Sequence, residues 1–154
     1  MGKKRIIKKP IIRKPRKNAA PKTRNSGTFT DMMFWNFIRA SLRQRSRWWK
    51  PILECRNKSR RAYVGPLKRQ KFEYRCNCCG DYFPEKQISV DHIIPLGELR
   101  CKEDLPGFVE RLFVEAEELQ CLCSKCHLAK TASEKEFRKN KRILDNYDKF
   151  IPMV

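Results

Sequence analysis

Acidic residues are scarce in this chain: 17 Asp and Glu stand against 36 Lys and Arg in 154 residues, a formal charge of +19. Such an imbalance opposes compaction by self-repulsion and is tolerated where a polyanion neutralises it, so nucleic acid is the partner class it points to. Long apolar runs are missing, which argues against a membrane-spanning helix. The basic stretches are not laid out as one amphipathic helix, which argues against a membrane surface. The first residues have the charge of a secretory signal without the apolar core that must follow, so none is read there and the expected compartment is the cytoplasm. Histidine is nearly absent, with only His92 and His127. No internal repeat is visible.

What is present divides into four stretches. Residues 1–28 read as a basic flexible arm: Lys3 to Arg24 mixes Lys and Arg with Pro10, Pro15 and Pro21 and carries only isolated apolar pairs. Residues 29–70 read as a helical basic segment. Phe34, Phe37, Ile38, Ser41, Leu42 and Arg45 follow helical spacing, Thr30 or Asp31 is placed to cap, and Arg39, Arg43, Gln44 and Arg47 occupy the other face. Trp48 and Trp49 close that run and are expected in the core. A short helix and a basic loop follow, with Arg60, Arg61, Lys68 and Arg69 flanking the break at Gly65-Pro66. Residues 71–135 form the chemical core, and residues 136–154 a C-terminal helix and tail.

Eight cysteines without a secretory signal argue for metal ligands rather than disulfides. Cys76 and Cys79 form one C-x-x-C pair, closed by Gly80, and Cys123 and Cys126 form a second. Each short spacing lets one turn present two thiolates to a single ion, and the two pairs together make a four-sulfur structural zinc site. Cys78 is an alternative member of the first pair, while Cys55, Cys101 and Cys121 read as small buried side chains or free thiols. Between the pairs, Tyr82-Phe83 and Gln87 to Val90 alternate as a two-stranded hairpin would, the second strand ending at Asp91-His92 and stopped by Pro95. Neighbours on a strand face opposite sides, so Asp91 and His92 share a target only if the strand twists or ends there. Phe108 to Ala116 reads as a helix with Pro106 in its first turn and Asp104 as a candidate cap. A last helix begins near Ser124. Along it His127 and Lys130 share a face, whereas Cys126 points about 100° from His127, so one helix can serve a zinc site and a second metal site.

The succession C-x-x-C, Asp91-His92-Ile93-Ile94-Pro95, and Leu119-Gln120-Cys121-Leu122-Cys123-Ser124-Lys125-Cys126-His127-Leu128-Ala129-Lys130-Thr131 resembles the zinc-stapled HNH endonucleases, a ββα-metal nuclease family common in bacteriophages. The resemblance covers about residues 72–135, under half the chain. It implies an α+β fold with a small ββα-metal core around one divalent ion, and cleavage of DNA, double-stranded by expectation, to 5′-phosphate and 3′-hydroxyl ends. On the matching positions His92 is the general base, and Asp91 and His127 hold the catalytic magnesium or manganese. The residue chemistry suits those roles. A neutral imidazole takes a proton from water near neutral pH, and two protein ligands leave coordination sites open for substrate. Lys130, with Arg43, Arg47, Arg60, Arg61, Lys68 and Arg69, is expected on the nucleic-acid surface.

One position departs from the pattern. The asparagine expected just before Leu119-Gln120 is Glu118, and an ionised carboxylate accepts hydrogen bonds but does not donate them. A non-catalytic zinc-stapled DNA- or RNA-binding module is therefore the second reading, and a basic scaffold that uses zinc only to fold is the third. The expected state is a monomer or weak dimer. The resemblance suggests homing or packaging partners of a phage, in the host cytoplasm.

Overall fold

The structure is a computed structural model in which residues 20–147 are described. The expected arm over residues 1–19 and the tail beyond residue 147 lie outside the described residues. Residues 20–34 form a unit of their own. Within it Arg24 and Phe29 close a turn through Asn25, Ser26 and Gly27, whose backbones all take positive φ. The last residues expected in the arm are thus a defined turn. The Arg24 Nε donates to Asp31 at 2.8 Å, and the Thr30 hydroxyl accepts the Met33 amide at 3.2 Å, the capping contact expected at this helix start.

Helix α1 spans Asp31–Ser46 and α2 spans Lys50–Lys58. The break between them arises where the Ser46 hydroxyl turns back to the Arg43 carbonyl, and Pro51, which lacks an amide hydrogen, opens the next helix. Trp49 is half-buried: its Nε1 donates to the Val114 carbonyl at 2.7 Å and its ring meets Phe113 edge-on at 5.4 Å. Trp48, expected in the core, is instead 83% exposed, because it lies in the turn after α1 has ended.

The remaining elements make two small antiparallel sheets. Strands β1 (Arg60–Ala62), β2 (Phe72–Arg75) and β3 (Tyr82–Phe83) form one; β4 (Ile88–His92) and β5 (Leu119–Cys123) form the other. Helix α3 covers Leu105–Leu112 and α4 covers Ser124–Tyr147. The fold is therefore α+β. The expected hairpin between Tyr82-Phe83 and Gln87–Val90 does not form. Tyr82-Phe83 pairs back onto β2, and Ile88–His92 pairs with β5, placing Ile88 opposite Cys123 and His92 opposite Leu119. The reason is local. Pro84 and the 3₁₀ turn Glu85–Gln87 turn the chain away from β3, while β5 is apolar on both faces and nearly all buried, so it offers the better partner.

Burial of β5 ties the core together. Cys121 and Leu119 pack on Cys55 of α2 with Ile52 and Val90, and Leu122 and Cys123 pack on Cys76 with Phe83. A third cluster, Leu99, Phe108 and Leu112, packs against Trp35, Ile38 and Leu42 of α1. Fully burying a side chain such as Leu112 or Phe108 contributes about 1.5–3 kcal/mol, enough to fix α3 beside the end of β4. As expected, Cys55 and Cys121 are small buried side chains; the Cys121 thiol accepts the Ser59 hydroxyl at 3.2 Å. No helix among the described residues is long and apolar enough to cross a membrane.

Candidate functional site

The cysteine cluster is built from two short turns of chain. Strand β2 leads into Cys76, whose backbone amide donates to the Asp81 carbonyl at 2.9 Å while the Gly80 amide returns to the Cys76 carbonyl at 2.9 Å. Gly80 adopts φ +79°, a left-handed conformation that costs glycine little, and this lets the knuckle close after Cys79. Asn77 clamps the knuckle onto β5. Its amide donates to the Cys121 carbonyl at 2.8 Å, and its side-chain oxygen accepts the Cys121 amide at 3.1 Å. The second pair straddles the passage from β5 into α4, with Cys123 ending the strand and Cys126 in the first helical turn.

The Sγ atoms of Cys76, Cys79, Cys123 and Cys126 all lie within 4.8 Å of one another, an arrangement that can hold one metal ion. Cys78 is exposed and stands outside this quartet. Burial pushes the Cys76 thiol up, but backbone amide hydrogens of Cys123, Cys79 and Cys78 aimed at its sulfur outweigh that and bring it down to about 6. The Cys123 amide sits 3.3 Å from it. Cys126 is pushed up by the thiols of Cys123 and Cys78 beside it. Four sulfurs crowded this closely cannot all ionise without a cation, which is the electrostatic signature of a ligand set.

The second place is a cleft of about 800 Å³, lined by three of the four residues expected at the catalytic site, Asp91, His92 and His127, but not by Glu118. Asp91 and His92 are the last two residues of β4, paired with Gln120 and Leu119 of β5, and both line the cleft. His92 Nε2 lies 3.2 Å from the Leu112 carbonyl at the end of α3. A carbonyl only accepts, so Nε2 carries the hydrogen in that bond and Nδ1 is left with a bare lone pair. The His127 ring, on the first turn of α4, has no hydrogen-bond partner among the described residues. As expected, one helix turns Cys126 to the cluster and His127 to the cleft.

Asp91 is held by Lys130. The Lys130 ammonium donates to Asp91 Oδ2 at 2.8 Å, to the His92 carbonyl at 2.9 Å and to Glu134 one turn further along α4. All three of its hydrogens therefore have acceptors inside the protein. Burial disfavours the charged ammonium, but the carboxylates of Asp91 and Glu134 outweigh it and raise the Lys130 pKa. Asp91 Oδ1 accepts no hydrogen bond among the described residues, so one carboxylate oxygen stays open toward the cleft.

Glu118 is exposed, and its side chain has no hydrogen-bond or ion-pair partner among the described residues. Its backbone has one: the Ile93 amide donates to the Glu118 carbonyl at 2.9 Å, extending the β4–β5 ladder one residue past His92. Of the expected basic residues, Arg43 and Arg47 line the cleft. Arg60 and Arg61 lie on β1, stacked over Phe72 at 4.3 Å and Tyr82 at 3.3 Å, and Lys68 and Arg69 follow in the loop before β2. Sequence reasoning missed Arg56, Glu134 and the Leu112 carbonyl. The four-residue spacing of Lys130 and Glu134 was the signal for Glu134; a backbone carbonyl has none. Comparison of the chain with family models, with curated proteins and with solved structures finds no match.

Proposed function

We propose that the protein is a metal-dependent DNA endonuclease of the HNH type, with zinc on the cysteine quartet and magnesium or manganese in the cleft. One observation carries this reading: Asp91, His92 and His127, from the end of β4 and the start of α4, line a single cleft. The order β4, β5, α4 with an antiparallel pair leading into a helix is what the resemblance to that family implies for a ββα core. Four thiols are the donor set that zinc favours, and a carboxylate oxygen with an imidazole suits a catalytic ion that keeps sites open.

In this reading the Leu112 carbonyl fixes the tautomer of His92, whose Nδ1 removes a proton from water. The oxygen of that water attacks phosphorus, the bond from phosphorus to the 3′ oxygen breaks, and solvent returns a proton to the leaving oxygen. A divalent ion bound there would supply charge stabilisation on the phosphate and the leaving oxygen. Asp91 and His127 would hold it, and Lys130 positions Asp91 and the backbone of His92 together.

The experiment is plasmid nicking. Purified protein with magnesium or manganese should relax supercoiled DNA, EDTA should stop it, and His92→Ala should lower the rate by about 10²–10⁴-fold, the usual contribution of a general base. Fold, zinc content and DNA affinity should be unchanged in that variant. Cutting at the wild-type rate removes His92 as the base. DNA binding without cutting, across metals, replaces the enzyme with the non-catalytic module.

A further inference from the structure

The cleft that holds Asp91, His92 and His127 is also lined by basic residues from outside the motif. Arg43 of α1, Arg47 just after it and Arg56 of α2 all line it. Arg43 in the last turn of α1 and Arg47 in the turn that follows it both reach this one cleft. Elsewhere near the cleft, basic groups are neutralised within the protein: Lys130 by Asp91 and Glu134, Arg56 by Glu85 at 2.7 Å. Arg43 and Arg47 have no carboxylate partner among the described residues. Two guanidiniums without carboxylate partners in one cleft favour an anion between them. The floor, made by Ile52, Ile88, Val90, Leu96 and Leu112, supplies none. A volume of about 800 Å³ admits a segment of backbone with its sugars rather than a lone phosphate.

We infer that Arg43 and Arg47 hold the phosphodiester backbone in the cleft, so that α1 is half of the substrate site rather than a separate binding element. This rests on the proposed function for its substrate class, while the placement of DNA is separately measurable. Planar guanidiniums grip phosphate oxygens in pairs, and these two line the same cleft as Asp91 and His127.

The chain's only two histidines both line this cleft, so their reactivity reports its occupancy. Full-length protein, without chelator and without added magnesium or manganese, is treated with diethyl pyrocarbonate, with and without a saturating duplex oligonucleotide, and modification of His92 and His127 is read by mass spectrometry. DNA should protect both rings at least fivefold. In the Arg43→Gln/Arg47→Gln double variant, DNA affinity should fall and the salt slope should drop by about 2. Protection should be lost even at DNA concentrations that restore binding. Arg60→Gln/Arg61→Gln, removing the same charge from β1, should weaken binding but keep protection. The inference is overturned if bound DNA leaves the histidines as reactive as in free protein, or if the Arg43/Arg47 variant retains full protection. Because no catalytic metal is supplied, either result stands whether or not the protein proves to be a nuclease. With magnesium, the same double variant should cut saturating DNA at least tenfold more slowly; an unchanged rate would place the two arginines away from the reacting phosphate.

Discussion

At the start of α4, Cys126 turns toward the cysteine cluster and its neighbour His127 toward the cleft. The two places differ in what they draw on. The cluster is local: two short turns supply all four sulfurs, and Asn77, Gly80 and the Cys123 amide lock the knuckle to β5. The cleft is assembled from α1, α2, β4, the end of α3 and α4, and no one segment contains it. A local site can be lost by one substitution, whereas an assembled site degrades by degrees.

The largest effect therefore belongs to the cluster. Cys126→Ser, or strong chelation of the wild type, should remove the structural ion and with it the junction of β2, β5 and α4. A bound structural zinc contributes roughly 10–16 kcal/mol in small domains, more than a chain with this modest core can forgo. Loss of the cooperative thermal transition together with the bound metal is the expected result. A folded, metal-free variant would mean that apolar packing around Leu122 and Phe83 suffices. Cys78→Ser, by contrast, should keep both metal and transition, since its sulfur lies outside the quartet.

Lys130→Met tests how an assembled site fails. The substitution keeps the length of the side chain but leaves Asp91 and Glu134 facing each other without their shared cation, and frees the His92 carbonyl. Outer contacts that orient metal ligands typically account for 10–100-fold in metal affinity or activity, and the cleavage rate should fall within that range while the fold persists. The pH dependence has a definite sign. The Lys130 pKa is raised above its ordinary 10.5, so its contribution is complete below that value and lost only as pH rises beyond it. Wild-type stability should thus acquire an alkaline loss above about pH 10.5 that the methionine variant lacks; identical alkaline profiles would remove Lys130 as the bridge.

The same contrast explains what was legible before the fold was known. The quartet could be read because spacing alone determines whether one turn presents two thiolates, and the start of α4 because helical spacing separates Cys126 from His127. Strand pairing could not. Alternation marks Tyr82-Phe83 and Ile88–His92 as strands but says nothing about partners, and the decisive fact was that β5 is buried on both faces. Trp48 was misread for a related reason. Its character is apolar, but the end of α1 at Ser46 sets its direction. The cleft's arginine wall was half legible: Arg43 and Arg47 were marked as a basic face, and only the packing of Leu42 and Ile38 on Leu112 and Phe108 turns that face toward His92.

The smallest effect is expected at Glu118, the position where the sequence leaves the family pattern. An asparagine side chain can brace the loop after the base by donating and accepting at once, which a carboxylate cannot do. Here that loop is already held by main chain, through the Ile93 amide and the Glu118 carbonyl at 2.9 Å, and this bond is indifferent to the side chain. Glu118→Ala should therefore change stability by no more than about 0.5 kcal/mol, as for other exposed positions without partners, and leave the cleavage rate close to wild type. Glu118→Asn should likewise give no gain. A large rise in activity with asparagine would show that the backbone bond is an insufficient brace and that the cleft gains order from a side chain it now lacks.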